Sequence, residues 1–365
     1  MHISEIDTPA LVLDLDIMEQ NIAQMAAYCA RARIALRPHI KTHKIPAIAR
    51  RQIAAGAIGI TAAKPSEAAI MADAGIRDIL IAYPIVSDVK AQALAALLEQ
   101  GVAVSVSIDS VEAAACLSAA AGRVHQAFSL LVEIDVGFGR CGVATPRDAV
   151  TLARIIESLP NVRFAGLMFY PGHMFVPRAE QDRLLADVNA KLYAAYDALT
   201  SASFQVPVVS GGSSPTALRS TEFHRLTEIR PGMYPLNDRN LVTGGFAQLS
   251  QCALTVLTTV VSTAVKGRAI LDGGSKTFSS DRLLTGNGRG FGLLPGDPGT
   301  VFYNLSEEHG HLDITNSPVA YKVGDRLAII PNHVCATINM HDSIHAVRQQ
   351  VVEEIWQVAA RGCVR

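Results

Sequence analysis

The sequence predicts an α/β fold, a (β/α)8 barrel followed by a C-terminal β domain, and three observations predict it. Short runs of β-forming residues recur near 34–38, 58–61, 78–81, 102–107, 128–134, 163–169, 205–209 and 226–230. Most of the gaps between them carry helical periodicity, as over 66–74, 88–100, 146–159 and 178–200. Beyond about Asn240 the texture changes to runs rich in Val, Ile and Thr at 252–265, 268–271, 326–330, 336–340 and 346–358, broken by Gly, Pro and Asp. Strands that alternate with helices and are apolar enough for burial on both sides close into a parallel barrel. A doubly wound open sheet is the alternative. The barrel is assigned to 8–240 and the β domain to 241–365, with residues 1–7 a candidate addition to the latter.

Taken in order, Asp7-Thr8-Pro9 is a turn signal before a short apolar strand, Ala10-Leu11-Val12-Leu13, after which Asp14 or Asp16 caps a helix reaching about Arg33. The eight barrel strands follow. The gap before the eighth is short, with room for a helical turn or two. The glycine-rich stretch 285–299 reads as a long surface loop.

Composition narrows the function. The 365 residues hold 32 Lys and Arg against 33 Asp and Glu, so nothing calls for a polyanionic partner such as nucleic acid. A small molecule is the expected partner. The six cysteines, at 29, 116, 141, 252, 335 and 363, form no CxxC pair, which suits a reduced, cytoplasmic chain. No apolar run reaches membrane-spanning length, and no basic and apolar leader opens the chain.

Barrels of this kind carry their chemistry on the loops that follow the strands. Lys41 follows the first run, in Arg37-Pro38-His39-Ile40-Lys41-Thr42-His43-Lys44; an amine held there by a rigid strand and partly desolvated is a usable nucleophile. Lys64 follows the second and Tyr83 the third. Arg140 follows the fifth among three glycines, placed to lie against a planar ligand, and Tyr170 and His173 follow the sixth. After the seventh comes Ser210-Gly211-Gly212-Ser213-Ser214-Pro215-Thr216. Its glycines admit an anion to the backbone, its hydroxyls donate, and a following helical turn aims N–H groups at a phosphate. Tyr234, after the eighth, adds a phenol. In the β domain, His333 and Cys335 stand at i and i+2, which on a strand places them on one face as a two-ligand metal site. Two protein ligands leave open positions for Lewis-acid chemistry.

With these residues in view, the chain resembles the fold-type III pyridoxal-phosphate enzymes, specifically the D-threonine aldolase and D-serine dehydratase group on the alanine-racemase-like barrel. The matching stretches are 7–14, 37–44, 61–68, 133–143, 210–216, 229–234, 271–282, Glu307-Glu308-His309-Gly310 and 331–342, in the same order over nearly the whole length. The resemblance implies that Lys41 holds pyridoxal 5'-phosphate covalently, Arg140 faces the ring nitrogen, and Tyr170 lines the ring pocket. It implies that Gly211, Gly212, Ser213, Ser214 and Tyr234 hold the phosphate, and that His333 and Cys335 are the metal pair. The aldolases resemble this pattern with an aspartate in the second metal position and the dehydratases with a cysteine, and the softer ligand favours zinc over manganese or magnesium. The loop 170–173 departs from the aldolase pattern.

The resemblance therefore implies a lyase of D-3-hydroxy amino acids that eliminates water to give a 2-oxo acid and ammonia, with Lys41, His333 and Cys335 catalytic. Retro-aldol cleavage to glycine and an aldehyde is the alternative; a racemase or a non-catalytic cofactor carrier ranks below both. Enzymes of this shape resemble homodimers, which is the expectation here.

Overall fold

The computed structural model describes residues 1–284 and 289–365. They divide into two compact units, one of residues 24–41, 46–232 and 363–365, the other of 1–23, 42–45 and 233–362.

The first unit is the barrel. Its strands follow the order Ala35–Leu36, Glu228–Ile229, Val208–Gly211, Val162–Phe169, Phe128–Ile134, Ala103–Ile108, Asp78–Ile81 and Ile60–Ala62, every neighbour parallel. The ends of this row meet through a parallel bridge between His39 and Thr61, where Ile40 N–H donates to the Thr61 carbonyl at 2.8 Å. All eight runs read from the sequence form these strands. Leu80, Leu131 and Met168 pack as one buried cluster, supported by Ala82, Ala165 and Val208.

Helix Pro146–Ser158 shows how the connections are specified. Thr145 caps it, accepting from Asp148 N–H at 3.2 Å, Pro146 opens it, and Ala149, Leu152, Ala153 and Ile156 form its buried stripe at i, i+3, i+4 and i+7. The short gap before the last strand holds the 3-10 helix Ser214–Glu222. Between Phe164 and Gly166 the sixth strand bulges, with Gly166 at φ +137° and so close to Val208 that a Cβ would collide with its carbonyl oxygen. Gly166→Ala is expected to cost about 2 kcal/mol in urea unfolding; a wild-type midpoint would show that the bulge relaxes.

The second unit is a mostly antiparallel sheet. Its row runs Val301–Leu305, Gly310–Asp313, Arg268–Leu271, Leu254–Ser262, Ala10–Asp14, Ser343–Arg348 and Val351–Gln357. Arg326–Pro331 branches from Leu254–Ser262 and pairs in turn with Gly292–Leu293. Ala10–Asp14, within the 8–240 span expected for the barrel, pairs instead with Leu254–Ser262 and, in parallel, with Ser343–Arg348. Ala10 and Val12 bury one face against Ile6, Leu257 and Val347, while Leu11 and Leu13 are fully buried on the other.

Three readings of this half are corrected. The run 336–340 is not a strand, because the short helix Val334–Ile338 occupies it. The run 346–358 is two strands joined at Gln349 and Gln350, both at positive φ, a primed hairpin turn made without the usual Asn-Gly signal. Within the expected loop 285–299, Gly292–Leu293 is paired strand, and 285–288 lie outside the described residues. Among the described residues no helix is long and apolar enough to cross a membrane.

Candidate active site

The C-terminal strand ends of the barrel gather most of the expected cofactor residues. Lys41 follows the bridge at His39, and its N–H donates to His39 Nδ1 at 3.3 Å. Its side chain is exposed, which corrects the expectation of a partly desolvated amine. Lys41 Nζ lies 5.9 Å from the centre of the Tyr170 ring, and the Arg140 guanidinium stacks on the same ring at 4.4 Å. Lysine, arginine and tyrosine thus come from the ends of the first, fifth and sixth strands to one place, as a flat aromatic cofactor requires.

Phe138 braces that group edge-on to Tyr170, with ring centres 5.4 Å apart, and stacks over His173 at 6.5 Å. Asp135 fastens the arginine loop, accepting from Gly137 N–H at 2.9 Å and Gly139 N–H at 3.0 Å. Against the cost of burial, these bonds and Lys191 hold its carboxyl below the usual range. Burial lowers the His173 pKa, so its ring favours the neutral form.

The seventh loop has the form of an anion cradle. Gly212 takes φ +83°, and a Cβ built there meets nothing nearer than 3.7 Å, so the backbone is open to a ligand. Ser213 N–H donates to Thr216 Oγ1 at 3.0 Å, fixing the first turn of Ser214–Glu222, and Gly232 N–H donates to Ser214 Oγ at 3.2 Å. Glycine backbone, two serine hydroxyls and a helix start fit the phosphate of the cofactor. Tyr234 is buried and belongs to the other unit.

Sequence reasoning missed the polar chain inside the barrel. Arg37 pairs with Asp78 at 2.5 Å and Glu228 at 3.0 Å, and Glu228 accepts from Ser210 Oγ at 2.6 Å. Arg230 donates to Ser210 Oγ at 2.5 Å and to the Phe169 carbonyl at 2.9 Å, tying together the strands that lead to Tyr170 and the anion loop. Burial brings Arg230 down to about 10 against the pull of Glu228 and Glu133. Glu133, buried and hydrogen-bonded by Ser107 at 3.0 Å, is raised by the same desolvation. The signal was present in two glutamates inside otherwise apolar strands.

In the second unit, His333 and Cys335 are not on a strand. The strand ends at Pro331, His333 is the N-cap of Val334–Ile338, and Cys335 stands on its first turn. The turn, and not strand alternation, brings imidazole and sulfur together. Asp238, unremarked in the sequence, completes the arrangement. Fully buried, it caps Arg239–Thr243 through Leu241 N–H at 2.9 Å and accepts from Val334 N–H at 3.1 Å and His333 Nδ1 at 3.2 Å. Burial opposes charge on His333, yet Cys335 and Asp238 carry its pKa up to about 11. That shift favours the imidazolium, protonated on both nitrogens; a metal bound at Nε2 would displace that proton, while Nδ1–H goes on donating to the Asp238 carboxylate, which only accepts. The Cys335 sulfur lies 3.2 Å from the Thr42 hydroxyl.

Among the described residues no group of three or more His, Cys, Asp or Glu gathers to hold a metal, so His333 and Cys335 are at most two candidate ligands. One imidazole nitrogen and one sulfur suit a borderline-soft divalent ion. Asp238→Asn, which exchanges a charged, acceptor-only carboxylate for a neutral amide that can also donate, is expected to weaken zinc binding about 10–100-fold in a competitive chelator titration. Unchanged affinity would show that Asp238 only caps its helix.

A parallel barrel with a lysine beyond its first strand and an arginine–tyrosine stack beyond its fifth and sixth, joined to a sheet unit, defines the alanine-racemase-like class. Residues 13–236 match the family model described as alanine racemase, N-terminal domain, and 253–347 match that of a putative serine dehydratase domain. The chain belongs to this family of fold-type III, pyridoxal-phosphate-dependent enzymes, within the group of D-threonine aldolases and D-serine dehydratases, and it is a lyase. It is 35% identical to a D-threonine aldolase of Arthrobacter sp., covering 100% of this chain and 95% of that protein. It is 35% identical to a D-threo-3-hydroxyaspartate dehydratase of Delftia sp. strain HT23, covering 96% and 97%. The crystal structure of a D-threonine aldolase from Filomicrobium marinum superposes with a TM-score of 0.92 at 33% identity, covering 99% of this chain and 98% of that one.

Proposed function

We propose that this chain is a pyridoxal-phosphate- and metal-dependent dehydratase of D-3-hydroxy amino acids, yielding a 2-oxo acid and ammonia. The observation that carries this reading is the His333–Cys335 pair with Asp238 behind it, a nitrogen and sulfur donor set suited to zinc. The cofactor supplies an electron sink for the pair released at Cα, and the metal supplies a Lewis acid for the β-oxygen.

The chain's residues do the rest. Lys41 would hold the cofactor, and its amine, once freed, would take the Cα proton of bound substrate. Arg140, stacked on Tyr170, would set a fixed positive charge beside the ring nitrogen and oppose its protonation. Gly211, Gly212, Ser213 and Ser214 would anchor the phosphate, a set to which the family resemblance adds Tyr234. Loss of the Cα proton and of the β-hydroxyl as water leaves an enamine, whose imine form hydrolyses to 2-oxo acid and ammonia.

Retro-aldol cleavage is the second reading, favoured by the 35% identity to an aldolase. There the β-hydroxyl loses its proton and Cα–Cβ breaks, giving glycine and an aldehyde. Incubation with D-threonine, D-serine and D-3-hydroxyaspartate, with separate assays for glycine and 2-oxo acid, distinguishes the two. Oxo acid with stoichiometric ammonia is expected; glycine as the main product would overturn dehydration. The working form is proposed to be a cytoplasmic homodimer.

A further inference from the structure

We propose that Lys64, held on the face of Tyr83, selects substrates that carry a second carboxylate on the β-carbon, so that D-3-hydroxyaspartate is preferred over D-threonine. This rests on the lyase reading above and deepens it. The ends of three adjacent barrel strands carry Lys41, Lys64 and Tyr83. The bridge from His39 to Thr61 sets the first beside the second, and the pairing of Ile60–Ala62 with Asp78–Ile81, extended by Ala82 N–H to the Ala62 carbonyl at 3.0 Å, sets the second beside the third. Neighbouring strands lie about 4.8 Å apart, so Lys64 stands at the same rim as Lys41 and one strand away.

Its backbone is fixed. The buried Glu67 carboxylate accepts from Ala63 N–H at 2.8 Å and from Lys64 N–H at 3.2 Å, pinning the start of helix Pro65–Asp73. Its ammonium lies 3.6 Å from the centre of the Tyr83 ring. An aromatic face holds a cation without neutralising it, because the ring has a quadrupole but no net charge. Arg37 and Arg219, by contrast, are each matched by two carboxylates. Among the described residues no carboxylate pairs with the Lys64 ammonium, whose N–H donors remain for an anion.

The chemistry of the donor indicates which carboxylate. A carboxylate common to all substrates is best fixed by a planar two-point donor, whereas an ammonium on a four-carbon stem is a point charge that tolerates variable geometry. Tyr83 is 41% exposed, so the pair sits on the open rim, and the proposal places the substituent on the substrate's β-carbon toward it.

The test is the ratio of kcat/KM for D-3-hydroxyaspartate to that for D-threonine, measured on the holoenzyme. In Lys64→Met the ratio falls about thirtyfold, the loss of one charge-assisted contact, and in Lys64→Arg it is largely kept. Equal losses on both substrates would place Lys64 at the shared α-carboxylate and overturn the proposal, as would an unchanged ratio or a wild-type enzyme that acts on D-threonine alone. Cofactor absorbance is recorded on each variant. A wild-type holoenzyme inert toward both substrates would overturn the lyase reading and this one together.

Discussion

Lys41→Ala is expected to abolish the absorbance of protein-bound cofactor and to lower kcat/KM by about 10⁴-fold, the upper range for loss of a positioned base. In the proposed mechanism two roles converge on one amine, so the loss is larger than either alone would cause. Lys41 is exposed, at the end of the strand segment that closes the barrel, and 5.9 Å from the centre of Tyr170. What suits it to the task is position and not a dry environment. The barrel fixes its backbone, and the stacked Tyr170 and Arg140 define where a flat ring lies. A small added amine restores part of the activity if Lys41 is the base. An unchanged spectrum in the variant would move the covalent link to another lysine.

Removal of metal, or Cys335→Ala, is expected to reduce turnover about a thousandfold, matching several kcal/mol of Lewis-acid stabilisation. Zinc, manganese or cobalt restores the chelated wild type, and zinc fails to restore the variant. Activity that survives complete metal removal would refute the assignment of His333 and Cys335. Cys335→Asp makes a sharper test, since it exchanges a soft donor for a hard one and shifts the preferred ion from zinc toward manganese. Its product mixture should move from 2-oxo acid toward glycine. If metal preference changes and products do not, bond choice lies elsewhere in the site.

Much of the barrel was legible in the sequence. Apolar runs such as 128–134 must be buried on both faces, and stripes such as Ala149, Leu152, Ala153 and Ile156 must be covered on one, so local pattern alone locates strands and helices. Because a barrel presents its strand ends at one rim, placing the strands also placed Lys41, Lys64, Tyr83, Arg140, Tyr170 and the anion loop. The second unit was harder. The hairpin at Gln349 and Gln350 lacks its usual residues, and Val334–Ile338 is a helix of β-branched composition too short for any period to show.

By itself, then, the sequence determined the repeating architecture and the order of chemical groups around the barrel rim, since both follow from burial over a few neighbouring residues. Only the tertiary structure decided what surrounds His333. Asp238, which accepts from its Nδ1, lies 95 residues away, and the pair with Cys335 arises from a helical turn and not from strand alternation. The same holds for Ala10–Asp14, a strand near the chain start whose partners lie beyond residue 250. Such pairings depend on where distant segments meet, and residue periodicity carries no record of that.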